Sequence, residues 1–228
     1  GNRVILNAGA RVDYFSGIKK NIAASPRFGV SYSLFANTTL SASTGIYYQS
    51  PEYIWLTADP RNENLKFIQA NHFVVGIEHL FTPELRLSIE AYYKDYKNYP
   101  VSTVIPTYVF ISSGTDNGPN LMYGEAVSEG KGISRGIDFS LHKKLTGNGF
   151  YGMINYSLSD SRVTALVGGE KPGSFDYRHN LTIIAGYQLT NDWLVGLKFR
   201  YTTGRPYTPF DINASTIAGR GVSDFNNF

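Results

Sequence analysis

The chain has 228 residues and a formal net charge of +3, and it contains no cysteine. Without cysteine there are neither disulfide bonds nor thiolate metal sites, and the scattered basic residues argue against a dedicated nucleic-acid binder. The sequence has no uninterrupted apolar run of the roughly 18 residues that indicate a membrane-spanning helix.

Apolar and polar residues alternate with a period of two in many segments. In the segment 85–94, one set of alternate positions is apolar and the other is mostly polar: Leu85, Leu87, Ile89, Ala91 and Tyr93 against Arg86, Ser88, Glu90, Tyr92 and Lys94. This period is that of a β-strand with two unlike faces. It predicts about nine strands, at 3–14, 26–35, 39–49, 70–81, 85–98, 130–144, 149–161, 178–189 and 193–204.

The length of the strands and of their connections indicates where such a sheet resides. Strands of soluble proteins have about five or six residues, whereas a tilted membrane-crossing strand needs about 9–11, as these segments have. Short turns (36–38, 82–84, 146–148 and 190–192) alternate with long loops (15–25, 50–69, 99–129 and 162–177). Such alternation is typical of outer-membrane barrels. The predicted fold is therefore all-β: an antiparallel meander of about nine long strands within a transmembrane outer-membrane β-barrel.

Several strand motifs carry a family resemblance. They are Ala8-Gly9-Ala10-Arg11-Val12-Asp13-Tyr14-Phe15, Ser25-Pro26-Arg27-Phe28-Gly29-Val30-Ser31-Tyr32, the segment 91–98, Ser134-Arg135-Gly136-Ile137-Asp138, and Gly204-Arg205-Pro206-Tyr207. In this order they resemble the strands of TonB-dependent receptors, where G-x-R-x-D-x-Y and S-P-R-x-G-x-x-Y strands follow one another. The resemblance implies that 1–228 is the C-terminal part of a barrel of about 22 strands around a plugged lumen. We expect the plug domain and the closing C-terminal strand to lie outside this segment, since the ninth strand ends at the outer side and bacterial barrels have an even strand number.

The resemblance also implies a function. It predicts a barrel segment of a receptor in the bacterial outer membrane that imports a scarce nutrient by energy-coupled transport, with a siderophore, cobalamin or an oligosaccharide as the substrate class. The expected partners are outer-membrane lipid and lipopolysaccharide, the plug domain of the full-length chain, the TonB energy-coupling complex through that plug, and the substrate. The alternative is a small passive channel or a structural, adhesin-like barrel. We predict neither an enzyme nor a cofactor, because the sequence has no nucleophile elbow, phosphate loop or tight metal-ligand spacing.

The alternation assigns candidate residues to the lumen of the barrel. It places Arg86, Glu90, Lys94, Lys198 and Arg200 on the lumen face, and the family resemblance implies that they form a polar wall that holds a plug and lines a substrate path. A merely hydrated lumen explains each of these charges equally well. Arg135 falls on the lipid side, where its long side chain can reach the headgroups.

The long loops are the predicted site of recognition. Tyr53, Trp55 and Tyr108 lie in the two longest loops and are the predicted substrate contacts, because exposed aromatic residues among polar ones can form a ligand platform. The competing interpretation is that these residues only pack the loops against one another.

Overall fold

The computed structural model describes residues 3–112, 124–147, 149–207 and 209–222. Within them, nine long strands and one short strand form a single antiparallel sheet. The long strands are β1 (Val4–Tyr14), β2 (Ile22–Phe35), β3 (Thr38–Gln49), β4 (Ile68–Leu80), β5 (Leu85–Ser102), β6 (Ala126–Lys143), β7 (Phe150–Thr164), β9 (His179–Gln188) and β10 (Leu194–Thr202). The short strand β8 (Glu170–Pro172) pairs with β7 in one of the long loops. The predicted antiparallel meander of about nine long strands is confirmed.

Each long strand pairs with its neighbours in sequence, so the order across the sheet is β1 to β7, then β9 and β10. The register brings alternate residues of neighbouring strands onto the same face. Ile89 on β5 lies opposite Ile77 on β4 and Phe139 on β6, while Ser88 lies opposite Glu78 and Ser140. We call the side that carries Leu87, Ile89 and their register partners the apolar face, and the other side the polar face.

The apolar face exposes large side chains. Among the described strand residues, the exposed large apolar side chains lie on this face, with Ile5, Leu80 and Leu194 as the exceptions. On β5 the apolar run extends from Leu85 to Tyr93, which is roughly the 9–11 residues that a tilted strand needs to cross a bilayer. Polar residues border this apolar belt at its long-loop end, namely Asn71, Asp95, Arg135 and Asp160. A face of this composition suits contact with lipid.

The helices among the described residues are short and lie between strands or after the last strand. They are α1 (Tyr53–Ala58), α2 (Ile212–Ala218) and the 3-10 helices Pro60–Asn64 and Phe110–Ser112. In α2 the Asp211 carboxylate accepts a hydrogen bond from the backbone N–H of Ala214, and Gly219 ends the helix at φ 61°. No helix among the described residues is long and apolar enough to cross a membrane.

A β-bulge changes the direction of side chains near the end of β5. The register shifts between Lys97 and Tyr99, and Asn98 adopts φ 63°, a left-handed conformation that asparagine tolerates better than most residues. The Asn98 Nδ2 group donates a hydrogen bond to the carbonyl oxygen of Phe67 at 3.1 Å. Strict alternation would place Tyr99 on the apolar face. The bulge instead sets it opposite Gly130, on the polar face.

The largest buried apolar cluster lies above the long-loop end of the sheet. We call it the loop core, and its buried members are Trp55, Leu65, Ile68, Tyr99, Val101, Val109, Phe110 and Ala126. The fully buried Asn62 ties its parts together. Its Nδ2 donates to the carbonyl oxygens of Trp55 and Gly124 at 2.7 and 2.9 Å, and its Oδ1 accepts from the Ala126 N–H at 2.8 Å. The segment 50–67 and the described parts of the next long loop, 103–111 and 124–126, therefore form one packed unit.

Candidate ligand-binding wall

A continuous row of aromatic and cationic side chains crosses the polar face near its long-loop end. We call Arg27, Tyr47, His72, Tyr96 and Tyr99 the aromatic row. The Arg27 guanidinium lies 4.5 Å from the centre of the Tyr47 ring, which stacks on His72 at 4.3 Å between ring centres. His72 meets the edge of Tyr96 at 6.4 Å, and Tyr96 stacks on Tyr99 at 5.5 Å. Four neighbouring strands thus contribute to one surface.

Small residues beside the row make room for these rings. Gly45 lies in register between Arg27 and His72, and Ala70 lies between Tyr47 and Tyr96. On β6, a Cβ atom added to Gly132 would come within 2.6 Å of the Tyr99 ring. Glycine is thus required at 132 for Tyr99 to lie flat over the strand. These small residues leave room for the rings to lie side by side on the polar face, where Tyr96 and Tyr99 also pack against the loop core.

The five residues predicted for the lumen all lie on the polar face, according to the strand register. Arg86 forms an ion pair with Glu78 at 3.4 Å, and the Lys94 ammonium lies 4.9 Å from the centre of the Tyr92 ring. Glu90 lies opposite Asp138. Lys198 and Arg200 are on β10, whose outer edge carries no partner strand among the described residues. The role of the five residues as a lumen wall stays a prediction.

The three predicted substrate contacts occupy two different environments. Trp55 is only 3% exposed and packs in the loop core with its ring centre 6.0 Å from that of Phe110. Tyr108 is half-buried and lies 5.9 Å from the same ring. Tyr53 is 71% exposed, and its ring centre lies 5.6 Å from that of Phe15. The structure brings Trp55 and Tyr108 together through Phe110 and leaves Tyr53 at the surface of α1.

Ion pairs join the loops outside the membrane-spanning part of the strands. Arg61 contacts Asp59 at 2.8 Å and Glu125 at 2.9 Å, and Lys19 contacts Glu63 at 2.8 Å. Hydrogen bonds from the Arg61 side chain and its backbone N–H lower the pKa of Asp59 to about 2. These contacts connect the segment 50–67 to Lys19 in the first long loop and to Glu125 just before β6.

Sequence reasoning missed the aromatic row as a unit. Tyr47, His72 and Tyr96 lie far apart in the chain, and only the register of β3, β4 and β5 makes them neighbours. The signal in the sequence was the recurrence of aromatic residues near the ends of strands that enter long loops. The row can hold a ligand by two kinds of contact, since aromatic faces bind flat groups and the Arg27 guanidinium binds carboxylate-like oxygen pairs.

A comparison with protein families identifies the class of this barrel. The family described as TonB dependent receptor-like, beta-barrel, matches residues 1–228. The chain belongs to this family, as its strand motifs predicted. Its members are receptors of the outer membrane of Gram-negative bacteria, so the predicted location is also confirmed.

Solved structures share the fold at low sequence identity. The ferripyoverdine receptor of the outer membrane of Pseudomonas aeruginosa matches with a TM-score of 0.69 and 15% identity, over 97% of this chain and 28% of that one. The FrpB iron transporter from Neisseria meningitidis matches with a TM-score of 0.62 and 17% identity, over 88% of this chain and 31% of that one. The alcaligin outer-membrane receptor FauA from Bordetella pertussis matches with a TM-score of 0.60 and 16% identity, over 90% of this chain and 35% of that one. The chain therefore spans about a quarter to a third of these structures. No curated protein sequence matches it.

Proposed function

We propose that this chain is a barrel segment of an outer-membrane receptor that imports ferric siderophores by energy-coupled transport. The aromatic row carries the proposal, because a ferric siderophore is a compact chelate with flat or anionic iron-binding groups that rings and a guanidinium can bind. The solved structures with this fold support the same class, since three of them are an iron transporter and receptors for ferripyoverdine and alcaligin. Cobalamin and oligosaccharides remain the competing cargoes.

The polar face suits the inner wall of such a receptor. Its charged residues, Arg86, Glu90 and Lys94 among them, follow β5 along its length, as water or a polar plug surface would permit. The plug of the full-length protein would pack against this wall and pass the energy of the TonB complex to the cargo. The chain would thus act by binding and release, without catalysing a reaction.

We assign the loop aromatics to two roles. Tyr53 is exposed and is the proposed cargo contact in the loops, whereas the buried Trp55 holds the loop core together. Tyr108 supports the same core through Phe110. Replacing Tyr53 by Ala should therefore weaken capture of the cargo without loosening the loops, and Trp55→Ala should make the loops sensitive to protease.

The test uses the full-length receptor in cells that lack other iron receptors. Uptake of radioactive iron is measured with ferripyoverdine, ferric alcaligin and ferric enterobactin, and competition with cyanocobalamin and a maltooligosaccharide is measured in parallel. The expected result is TonB-dependent uptake of at least one ferric siderophore. Uptake that persists without TonB would favour a passive channel, and competition by only cobalamin or oligosaccharide would replace the siderophore assignment.

A matched pair of variants then locates the site. Arg27→Gln should weaken binding of the accepted siderophore about tenfold, which corresponds to about 1.4 kcal/mol. Arg86→Gln removes the same charge from the same face near the short turns, beside Glu78, and should leave affinity unchanged. Equal effects of the two variants would show that the row has no special part in binding.

A further inference from the structure

One part of the polar face carries apolar side chains where polar ones are expected. It lies on β7, β9 and β10 near the short turns, and its members, which we call the inner apolar patch, are Tyr151, Met153, Ile184 and Leu194. Met153 and Ile184 are register partners, and the register places all four residues on the same side of the sheet as Glu90. Three neighbouring strands thus build one apolar surface on the face opposite to the apolar belt.

Two glycines let the Tyr151 ring lie flat across the neighbouring strands. Gly186 lies opposite Tyr151 on β9, and Gly196 lies opposite Gly186 on β10. A Cβ atom added to Gly186 would come within 2.2 Å of Tyr151 Cζ, and one added to Gly196 would lie 3.7 Å from the Tyr151 hydroxyl oxygen. The ring therefore covers the backbone of β9, and the surface continues without a gap from β7 to β10.

The rest of the polar face has no comparable surface between the aromatic row and the short turns. On β1 to β6, the large aliphatic side chains of this part are Ile5, Val74 and Leu80, and they lie apart from one another. Ile5 lies opposite Ser31, and Leu80 lies opposite Arg86. Apolar residues scattered singly in this way need no partner, whereas a contiguous patch indicates an interaction surface.

The position of the patch limits what can cover it. A hydrated lumen gives no reason for four adjacent apolar side chains, because apolar surface is most stable away from water. Leu194 alone is 58% exposed in this chain. Lipid and a second barrel both meet the outer side of a closed barrel, which is the apolar face. The group that covers the patch must therefore lie inside the barrel.

Given the receptor function proposed for this chain, we propose that the inner apolar patch is the docking surface for an apolar segment of the plug and fixes the plug to the β7, β9 and β10 side of the lumen. The chain covers 28% and 35% of the ferripyoverdine and alcaligin receptors, so such a plug would come from outside residues 1–228. Lys198 lies opposite Ile184 at the border of the patch. The docking segment should therefore combine apolar side chains with an acidic one.

The other side of the lumen offers the plug much less to pack against. Two connected grooves follow the polar face of β1 to β5, with volumes of about 430 and 220 Å³, and Ser31 and Ser41 line both. The first reaches Arg27 and Tyr47 of the aromatic row, and the second reaches Glu78 near the short turns. We therefore expect the plug to be held firmly on one side and to leave space for water on the other.

Photocrosslinking in the full-length receptor without cargo identifies the occupant of the patch. p-Benzoylphenylalanine replaces Tyr151, and mass spectrometry of the irradiated protein should find it joined to a plug peptide that carries apolar and acidic residues. The same photoreactive residue in place of Tyr187, which is on the apolar face of the same strands, should give no plug peptide. A crosslink from position 151 to TonB, or to no protein segment, would overturn the proposal.

Thiol labelling tests the difference between the two sides. Ile184→Cys and Ser31→Cys place thiols at two positions of the polar face that are both half-exposed in this chain. In the full-length receptor, a small anionic thiol reagent should modify Cys at position 184 at least tenfold more slowly than Cys at position 31. Equal rates would contradict one-sided docking of the plug.

A pair of variants tests whether the patch holds the plug. Met153→Ser/Ile184→Ser should loosen the plug and lower the inhibitory concentration of vancomycin for the cells at least fourfold, while Val74→Ser, a single aliphatic position of the same face, should not. Heat resistance of the folded barrel checks that both variants fold. Unchanged vancomycin sensitivity in a folded double variant would refute the proposal. These measurements need no cargo, so failure of siderophore uptake with a plug crosslink at 151 would refute the proposed function alone.

Discussion

The two faces of the sheet are made by the same strands but differ in where they carry charged residues. On the polar face, charged residues such as Arg86, Glu90 and Lys94 follow one strand from its short-turn end upward. On the apolar face, Arg135 and Asp160 stand at the border of the belt and pair with each other. Water makes an isolated charge cheap, whereas lipid makes it costly unless it is paired. The distribution of charge therefore indicates that the polar face contacts water and the apolar face contacts lipid.

The strongest test of this contrast moves one charge across the sheet. Ile89→Arg puts a cation in the middle of the apolar belt and should destabilise the folded barrel by about 2–4 kcal/mol, as arginine does at the bilayer midplane. Ser88→Arg places the same side chain one residue away on the polar face, opposite Glu78, and should cost far less. Urea titration of the full-length protein in lipid vesicles measures both. Similar losses would mean that the faces are wrongly assigned to lipid and lumen.

A second test concerns the point at which β5 redirects its side chains between the faces. Asn98→Val forces a β-branched residue into the left-handed conformation and should cost about 1–2 kcal/mol, or abolish the bulge. Asn98→Gly adopts the same conformation freely and should retain the bulge, with loss of the bond to Phe67. A thiol probe at Val101→Cys reports the outcome, since Val101 is fully buried. Protection of the thiol in both variants would show that packing of the loop core, and not Asn98, fixes the direction of Tyr99.

The smallest effect on stability is expected in the loop between β3 and β4, where the ion pair of Asp59 and Arg61 lies between α1 and the neighbouring 3-10 helix. The pKa of Asp59 is lowered from 3.8 to about 2, so its contribution to loop stability is complete above pH 4 and is lost as the pH falls towards 2. Cleavage of 53–67 by pepsin should therefore increase in the wild-type receptor as the pH is lowered from 4 to 2. Asp59→Asn should be cleaved readily at both ends of the range, and a wild-type-like rise in this variant would assign the effect to another acid.

Alternation and loop length were sufficient to predict the nine strands and the apolar belt, while the family was predicted from the resemblance of the strand motifs. They also placed Arg135 on the apolar side, because its parity follows from neighbours such as Ile137. The partner Asp160 was not predictable, since it is 25 residues away and its position depends on the register of β6 and β7. The predicted strand ended at 98, whereas β5 continues to Ser102, and the side of Tyr99 could not be read from alternation because Asn98 in a left-handed conformation shifts the register. The helix that buries Trp55 carries no periodic signal, as it is only six residues long.

The bulge at Asn98 also divides β5 into two parts with different surroundings. Before it, the side chains alternate between the apolar and the polar face, while beyond it Tyr99 and Val101 pack in the loop core. We expect an insertion or deletion beyond the bulge to leave Lys97 opposite Lys131 and the apolar belt unchanged. We therefore expect changes in the long loop beyond position 98 to be tolerated without a change in the register of the transmembrane strands.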